Sequence, residues 1–453
     1  MSARALLQAI GLLLAWVALP AQAIPAFAEQ TGQPCSQCHV GAFGPQLKPY
    51  GRDFKLYGYT ASDGESHLPG LALTLQSGFT HTADTQPGNA DQGLKPNNNL
   101  ILDQQISGYF GGRLGHDVGA FVQVTYDGTA AAWQWDNTDV RYAHATSLFG
   151  RDAVFGLTLN NSPTVQDLWN STPVWGFPYN ASSVAATPVS SALLDGGLGE
   201  QVLGLGAYAV WNDLVYAEFA SYRALNGAFL NHLGTGPNRT GSTDIYSGAI
   251  PYLRLALMHE TDEHYLQAGF LALDAARLPG GDRTTGLADR VQDRGIDANY
   301  AWKGSDVHYV SAHALWLREN LDLAASQLLT GSLPHDRLDT LRADLSYSWR
   351  NTWTPTVQWF RTTGSADPVY WGTAGQVPDS RGQVFEIAWS PLGKPESLPA
   401  WLNLRAALQF VRYDQFDGDH SLAAQHNTAY LSFWFAFSPT YALEARAAGP
   451  AGH

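Results

Sequence analysis

Charge is scarce in this 453-residue chain: Asp, Glu, Lys and Arg make up 15% of it, against about 25% in an ordinary soluble domain. What charge there is leans acidic, 26 Lys+Arg against 40 Asp+Glu for a formal charge of -14. No basic surface is available to neutralise phosphates, which excludes nucleic acid as a partner. Cysteine is reduced to Cys35 and Cys38, and methionine to Met1 and Met258. Beyond the N-terminus no run approaches the ~18 unbroken apolar residues of a spanning helix. Abundant instead are Gly (45), Trp (15) and Tyr (20), with 45% hydrophobic residues in all. That balance excludes disorder and points to a β-rich membrane protein.

The first residues read as an export signal. Arg4 supplies a positive start, Ala5 to Leu19 is nearly all apolar, and Ala21-Gln22-Ala23 is a small-x-small cleavage site. The competing reading, a membrane anchor, fails on length, since a spanning helix needs about 20 apolar residues.

Both cysteines stand in Cys35-Ser36-Gln37-Cys38-His39, the attachment pattern of c-type haem. Two thiols add to the two vinyl groups of one haem, and the imidazole after the second thiol becomes the proximal iron ligand. A zinc site would want a second such pair, and none exists. A redox Cys-x-x-Cys would accompany a βαβ pattern and has no need of His39. Residues 40–70 are broken by Pro45, Pro49, Gly51 and Gly58, so the haem segment is too small to wall in its own cofactor. The rest of the chain must supply those walls.

From Leu71 onward, segments of about ten residues alternate with period two. Arg342, Asp344, Ser346 and Ser348 share one parity, against Leu341, Ala343, Leu345, Tyr347 and Trp349. Asn403, Arg405 and Gln409 likewise oppose Leu402, Leu404, Ala406, Leu408 and Phe410. About sixteen such segments run from Leu71 to the last at Asn427, an even number suited to a closed antiparallel outer-membrane barrel. Short connections such as Gly115-His116-Asp117 and Thr261-Asp262 alternate with long ones such as residues 161–200. Barrels of this kind place short turns in the periplasm and long loops outside, which puts the haem segment and the C-terminus on the periplasmic side. Residues 161–200, rich in Pro and Trp, are expected to fold inward and narrow the lumen. A soluble sandwich or propeller fits less well, because few charges are available for its exterior and no blade-length repeat is present. The expected fold is therefore all-β: a signal (1–23), a monohaem plug (24–70), an outer-membrane barrel (71–438) and a C-terminal tail (439–453). Neither Gly204-Leu205-Gly206, inside a strand, nor His259-Glu260 with His264, split by a turn, marks a nucleotide or zinc site.

Several runs together resemble one family. They are residues 25–32, the haem pentad, residues 51–60, Asp136-Asn137-Thr138-Asp139-Val140-Arg141-Tyr142, and Asn161-Ser162-Pro163-Thr164-Val165-Gln166-Asp167. The chain is similar, over nearly its whole mature length, to the fused cytochrome-porins of iron-oxidising bacteria. The resemblance implies one haem c in a barrel plug, electrons taken from extracellular Fe(II), and delivery to a periplasmic c-type cytochrome or other soluble carrier. It would make the protein an oxidoreductase of the outer-membrane lipid bilayer. Two departures are Glu29, where the family usually has Arg, and the extension after Ser438.

The sixth haem ligand is open among three residues. Met258 shares parity with Arg254 and should face the lumen, His67 lies in the haem segment, and His308 lies near the foot of a strand. Two other functions share the motifs: a conduit with another donor or running outward, and a diffusion porin with a sensory haem.

Overall fold

The computed structural model describes residues 25–438 apart from 65–69, 87–92, 234–243, 306, 396 and 398–400. The expected signal (1–23), the tail (439–453) and His67 lie outside the described residues.

Seventeen strands form one sheet. They are β1 (Gly70–Thr82), β2 (Asn99–Arg113), β3 (Val118–Asp127), β4 (Ala132–Leu148), β5 (Arg151–Asn160) and β6 (Val202–Trp211). Next come β7 (Val215–Ala224), β8 (Ile245–Ser247), β9 (Ile250–Glu260), β10 (His264–Leu278), β11 (Asp289–Trp302) and β12 (His308–Asp322). The last are β13 (His335–Trp349), β14 (Trp353–Gly364), β15 (Ser380–Trp389), β16 (Leu402–Gln415) and β17 (Thr428–Phe437). Strands β8 and β9 both pair with β10, end to end, and form one stave interrupted at Gly248. The result is a closed barrel of sixteen antiparallel staves, sealed where β1 pairs with β17 from Leu73↔Phe437 to Thr82↔Thr428.

The period-two pattern settles which face is which. Ser346, Ser348, Asn403 and Gln409 are buried in the lumen, whereas Leu341, Leu345, Leu408 and Phe410 are exposed on the outer wall. This arrangement is inverted relative to a soluble protein. Backbone groups are satisfied by neighbouring staves all round, so the outer wall can be apolar with no unpaired edge. Trp349, Trp353 and Trp389 cluster on the outside near the short-turn end of β13–β15, as an interfacial aromatic belt does.

Two connections break the expected alternation. The link between β3 and β4 at the long-loop end is only residues 128–131, and the link between β15 and β16 at the short-turn end is long, residues 390–401. Residues 161–201, the third outer loop, fold inward as expected: Val165, Leu168, Trp169, Phe177 and Leu194 are all buried. The loop crosses the lumen on hydrogen bonds to the wall. Leu193 N donates to Glu319 at 2.6 Å and Leu194 N to Asp293 at 2.6 Å, while Gln358 donates to Phe177 O at 2.6 Å and Gln409 to Asn180 O at 3.0 Å.

The segment before β1 occupies the short-turn half of the lumen and contains three short helices, α1 (Pro25–Thr31), α2 (Cys35–Cys38) and α3 (Pro49–Leu56). Pro49 opens α3 where a missing N–H costs nothing.

Leu408, at 54% exposure on the outer wall, provides a test of orientation. Replacing Leu408→Arg should destabilise the lipid-embedded barrel by about 2–4 kcal/mol, read from denaturant titration in vesicles. Gln409→Leu, one residue on but inward, should leave the lipid contact unchanged.

Candidate functional site

Helix α2 is a single turn that places Cys35 and Cys38 three residues apart on one face. It ends at His39, whose N–H donates to Cys35 O at 2.8 Å. Cys35, Cys38 and His39 line one cavity of about 350 Å³ in the lumen, a size typical of small-molecule sites. Its walls come from three parts of the chain. The plug contributes Phe27, Phe54 and Tyr59, the barrel Tyr109, Phe121 and Trp434, and the inward loop Trp175 and Tyr179.

Each site residue is held by its surroundings. Cys35 is 1% exposed, and Asn403 of β16 donates to its sulfur at 2.7 Å and to Ala42 O at 2.9 Å. Ser36 N donates to Gly393 O at 3.0 Å, so the β15–β16 connection straps α2 at Gly393. A Cβ at Gly393, where φ is +76°, would meet Cys35 Sγ at 2.7 Å and Asn403 Nδ2 at 2.6 Å. Gly51 plays the matching part on α3: a Cβ there would fall 2.6 Å from Cys38 O. Lys48 Nζ donates to Ser36 O at 2.7 Å and to Asn351 at 2.9 Å.

Both thiols are free of disulfide. Burial pushes the Cys38 thiol up to about 12, so it is protonated. Burial also pushes the His39 imidazole down to about 4, and its Nδ1 has no hydrogen-bond partner. The ring is therefore neutral at ordinary pH, with a lone pair to offer.

Deeper in the lumen a charged junction joins plug, barrel and loop. Arg141 of β4 is fully buried. Its Nε donates to Asp139 at 2.8 Å, its NH1 to Lys55 O at 3.1 Å, and its NH2 to Gln166 O. Tyr59 of the plug donates to the same Asp139 at 2.6 Å. Beside it Lys55 Nζ donates to Val165 O (2.7 Å), Asp167 O (2.6 Å) and Asn170 Oδ1 (2.7 Å). Burial, with Arg141 nearby, pushes Lys55 down to about 7.

The distal-ligand expectations at Met258 and His308 are not met. Met258 does face the lumen, but it packs in the cluster of Val40, Leu56, Tyr208 and Tyr265 and does not line the cavity. His308 faces outward: it is exposed, its Nδ1 sits 2.6 Å from Tyr347 OH, and the inward residue at that point is Tyr309. Parity fixes only the side of the wall, and the start of β12 at His308 assigns the next residue to the lumen. Among the described residues, which leave out His67, no second His and no Met lines the cavity. The Arg141–Asp139 junction escaped the expectations, although a charged pair within an alternating strand is itself a signal of function or docking.

No known family profile and no curated protein matches the sequence. Among solved structures the chain is similar to OmpT of Vibrio cholerae (7% identity, 81% of this chain, 96% of that one, TM-score 0.41). It is also similar to the outer membrane channel DcaP of Acinetobacter baumannii (10%, 81%, 96%, 0.43) and to OccK9 (OpdG) of Pseudomonas aeruginosa (13%, 82%, 97%, 0.38). The closed barrel of sixteen staves with its apolar exterior has by itself the architecture of an outer-membrane β-barrel.

Arg141→Met would leave Asp139 charged and unpaired in a buried site, a change that costs about 3–5 kcal/mol. The expected outcome is a lower unfolding midpoint together with new protease cleavage in residues 161–200. Lys55→Met should expose the same loop without touching Asp139.

Proposed function

We propose that the barrel carries one haem c, bonded through Cys35 and Cys38 with His39 as its proximal ligand, and works as an electron relay across the outer membrane. The observation that carries this reading is the convergence of those three side chains on a single aromatic cavity in the lumen. The fit rests on the chemistry of the residues present. Two reduced thiols lie one turn apart, and a neutral imidazole with an orphaned ring nitrogen follows them. When bound, the haem supplies one-electron chemistry between extracellular Fe(II) and a periplasmic c-type cytochrome or similar carrier. Fe(II) as donor rests on the family resemblance alone.

The chain's own residues do the positioning. Asn403 and Gly393 fix Cys35 and Ser36 against the barrel wall. The aromatic side chains exclude water, which strengthens every electrostatic interaction within. Lys55 and Arg141 bind the inward loop to the plug within the lumen, which supports a closed path over an open diffusion pore. Ferrous iron oxidised inside the cell would leave insoluble ferric product there; a filled lumen lets charge cross while the metal stays outside.

A diffusion channel is the second reading, favoured by the porin-like barrel itself. Conductance in planar bilayers separates the two: the relay reading expects a closed lumen, and a stable open conductance supports the channel. Anaerobic addition of Fe(II) to the purified oxidised protein should produce the reduced haem α-band. Protein that is colourless after maturation in a haem c-competent host defeats the cofactor assignment, and haem that Fe(II) leaves oxidised defeats the donor. Gly393→Ala should lower the yield of covalent haem, because the new methyl displaces Cys35 or Asn403.

A further inference from the structure

The outer wall carries a charge pattern that neither the lumen nor the barrel fold requires. The chain is acidic overall, with a formal charge of -14, yet arginines gather on the lipid-facing side of β11–β16, close to the long-loop end of each stave. Arg290 and Arg294 stand on β11, Arg318 on β12 and Arg337 on β13, all turned outward by the alternation of their staves. The belt continues with Arg361 on β14, Arg381 on β15 and Arg412 on β16, and these three are exposed. In the matching zone of β1–β9, Arg223 is the only arginine or lysine among the described residues. The basic belt is therefore one-sided.

Carboxylates on the same face neutralise part of it. Arg290 pairs with Asp274 at 2.6 Å and Arg412 with Asp414 at 2.9 Å, while Arg318 and Arg337 share Asp339 at 2.8 and 3.1 Å. Asp322 is taken by His335 at 2.8 Å. Among the described residues Arg294, Arg361 and Arg381 have no carboxylate within ion-pair distance. Arg361 and Arg381 also stand directly opposite each other across β14 and β15, as Arg294 and Arg318 do across β11 and β12. Like charges so placed on a sheet destabilise it, and an anion lying between them reverses the sign. Toward mid-stave the wall turns apolar at once: Trp359 follows Arg361, Phe410 follows Arg412 and Ile296 follows Arg294, all exposed. Beneath the belt on β13–β16 runs a groove of about 510 Å³, lined by Leu345, Val357, Phe385, Ile387, Leu408 and Phe410.

We infer that the β14–β16 flank binds a phosphorylated lipid of the leaflet around the long-loop end, with Arg361 and Arg381 bridging its phosphate and an acyl chain lying in the groove beneath. A guanidinium meets phosphate oxygens through two parallel N–H bonds, and basic clusters at the edge of an apolar band are where anionic head groups are held. The unpaired arginines account for the phosphate. The apolar groove directly under them accounts for the chain attached to it, which free phosphate lacks. Nothing in this inference uses the haem or the relay; it rests on the barrel and its lipid-facing wall.

The test uses full-length protein in a neutral detergent, titrated in native mass spectrometry with diphosphoryl lipid A or with the same lipid stripped of its phosphates. Wild type should hold the phosphorylated lipid at least tenfold more tightly. Arg361→Gln combined with Arg381→Gln should remove that preference, Phe385→Ala should weaken binding of both lipids, and Arg223→Gln on the other flank should change neither. In plain detergent the double variant should unfold at the same temperature as wild type or higher, since a like-charge pair is gone, and the phosphorylated lipid should raise the midpoint of wild type alone. Equal affinity for the two lipids, or equal binding by wild type and the double variant, overturns the inference. Displacement of the lipid by an equal concentration of inorganic phosphate assigns the arginines to the free ion and overturns it as well. A double variant less stable in plain detergent assigns them to the barrel itself, with the same consequence.

Discussion

The buried guanidinium of Arg141 is the constraint on which the interior depends. It is anchored to the wall through Asp139, and it holds the plug by Lys55 O and the inward loop by Gln166 O. A charge in that position has no water to fall back on, so its donors must all find acceptors. The acceptors come from three segments far apart in sequence. Docking of plug and loop therefore goes together with burial of this cation, since their carbonyls replace the water that an undocked lumen would offer it.

This explains why the lumen is lined with polar side chains and not with a conventional core. Amides and carboxylates of the wall give the irregular loop backbone partners that water would otherwise supply. Glu319 and Asp293 receive the Leu193 and Leu194 N–H groups, while Gln358, Gln409 and Gln104 serve the carbonyls of Phe177, Asn180 and Ala181. Non-helical backbone at membrane depth is tolerated only where protein satisfies it in this way. Aromatic residues then collect where no backbone needs serving, around Cys35, Cys38 and His39.

Much of this architecture was legible in the sequence because a barrel stave obeys a strict local rule. Alternation placed Ser346 inside and Leu345 outside, and the first and last staves open at Gly70 and Thr428, each one residue from the expected Leu71 and Asn427. The Cys35–His39 pentad is visible as a motif for the same reason, being written in five consecutive residues, and the structure brings its three side chains to one cavity. Long-range contacts were not legible. Parity put Met258 in the lumen correctly but could not tell which side of the plug it would meet. His308 sits at a stave's first residue, where a shift of one position reverses its face. Nothing local announced that Gly393 would lie over α2 or that Asn403 would face Cys35. The run from Asp136 to Tyr142 was noticed as a family likeness, and only the fold shows its physical role, with Asp139 and Arg141 at the junction.

The seating of Cys35 sets an order on biogenesis. Its sulfur is covered by an amide from the penultimate stave and by a strap that joins that stave to the one before, leaving no approach for an enzyme once the cylinder is complete. Any group bonded to that sulfur would have to be bonded while the barrel is still open. On the haem reading, attachment would precede closure, and the cylinder would form around a finished product.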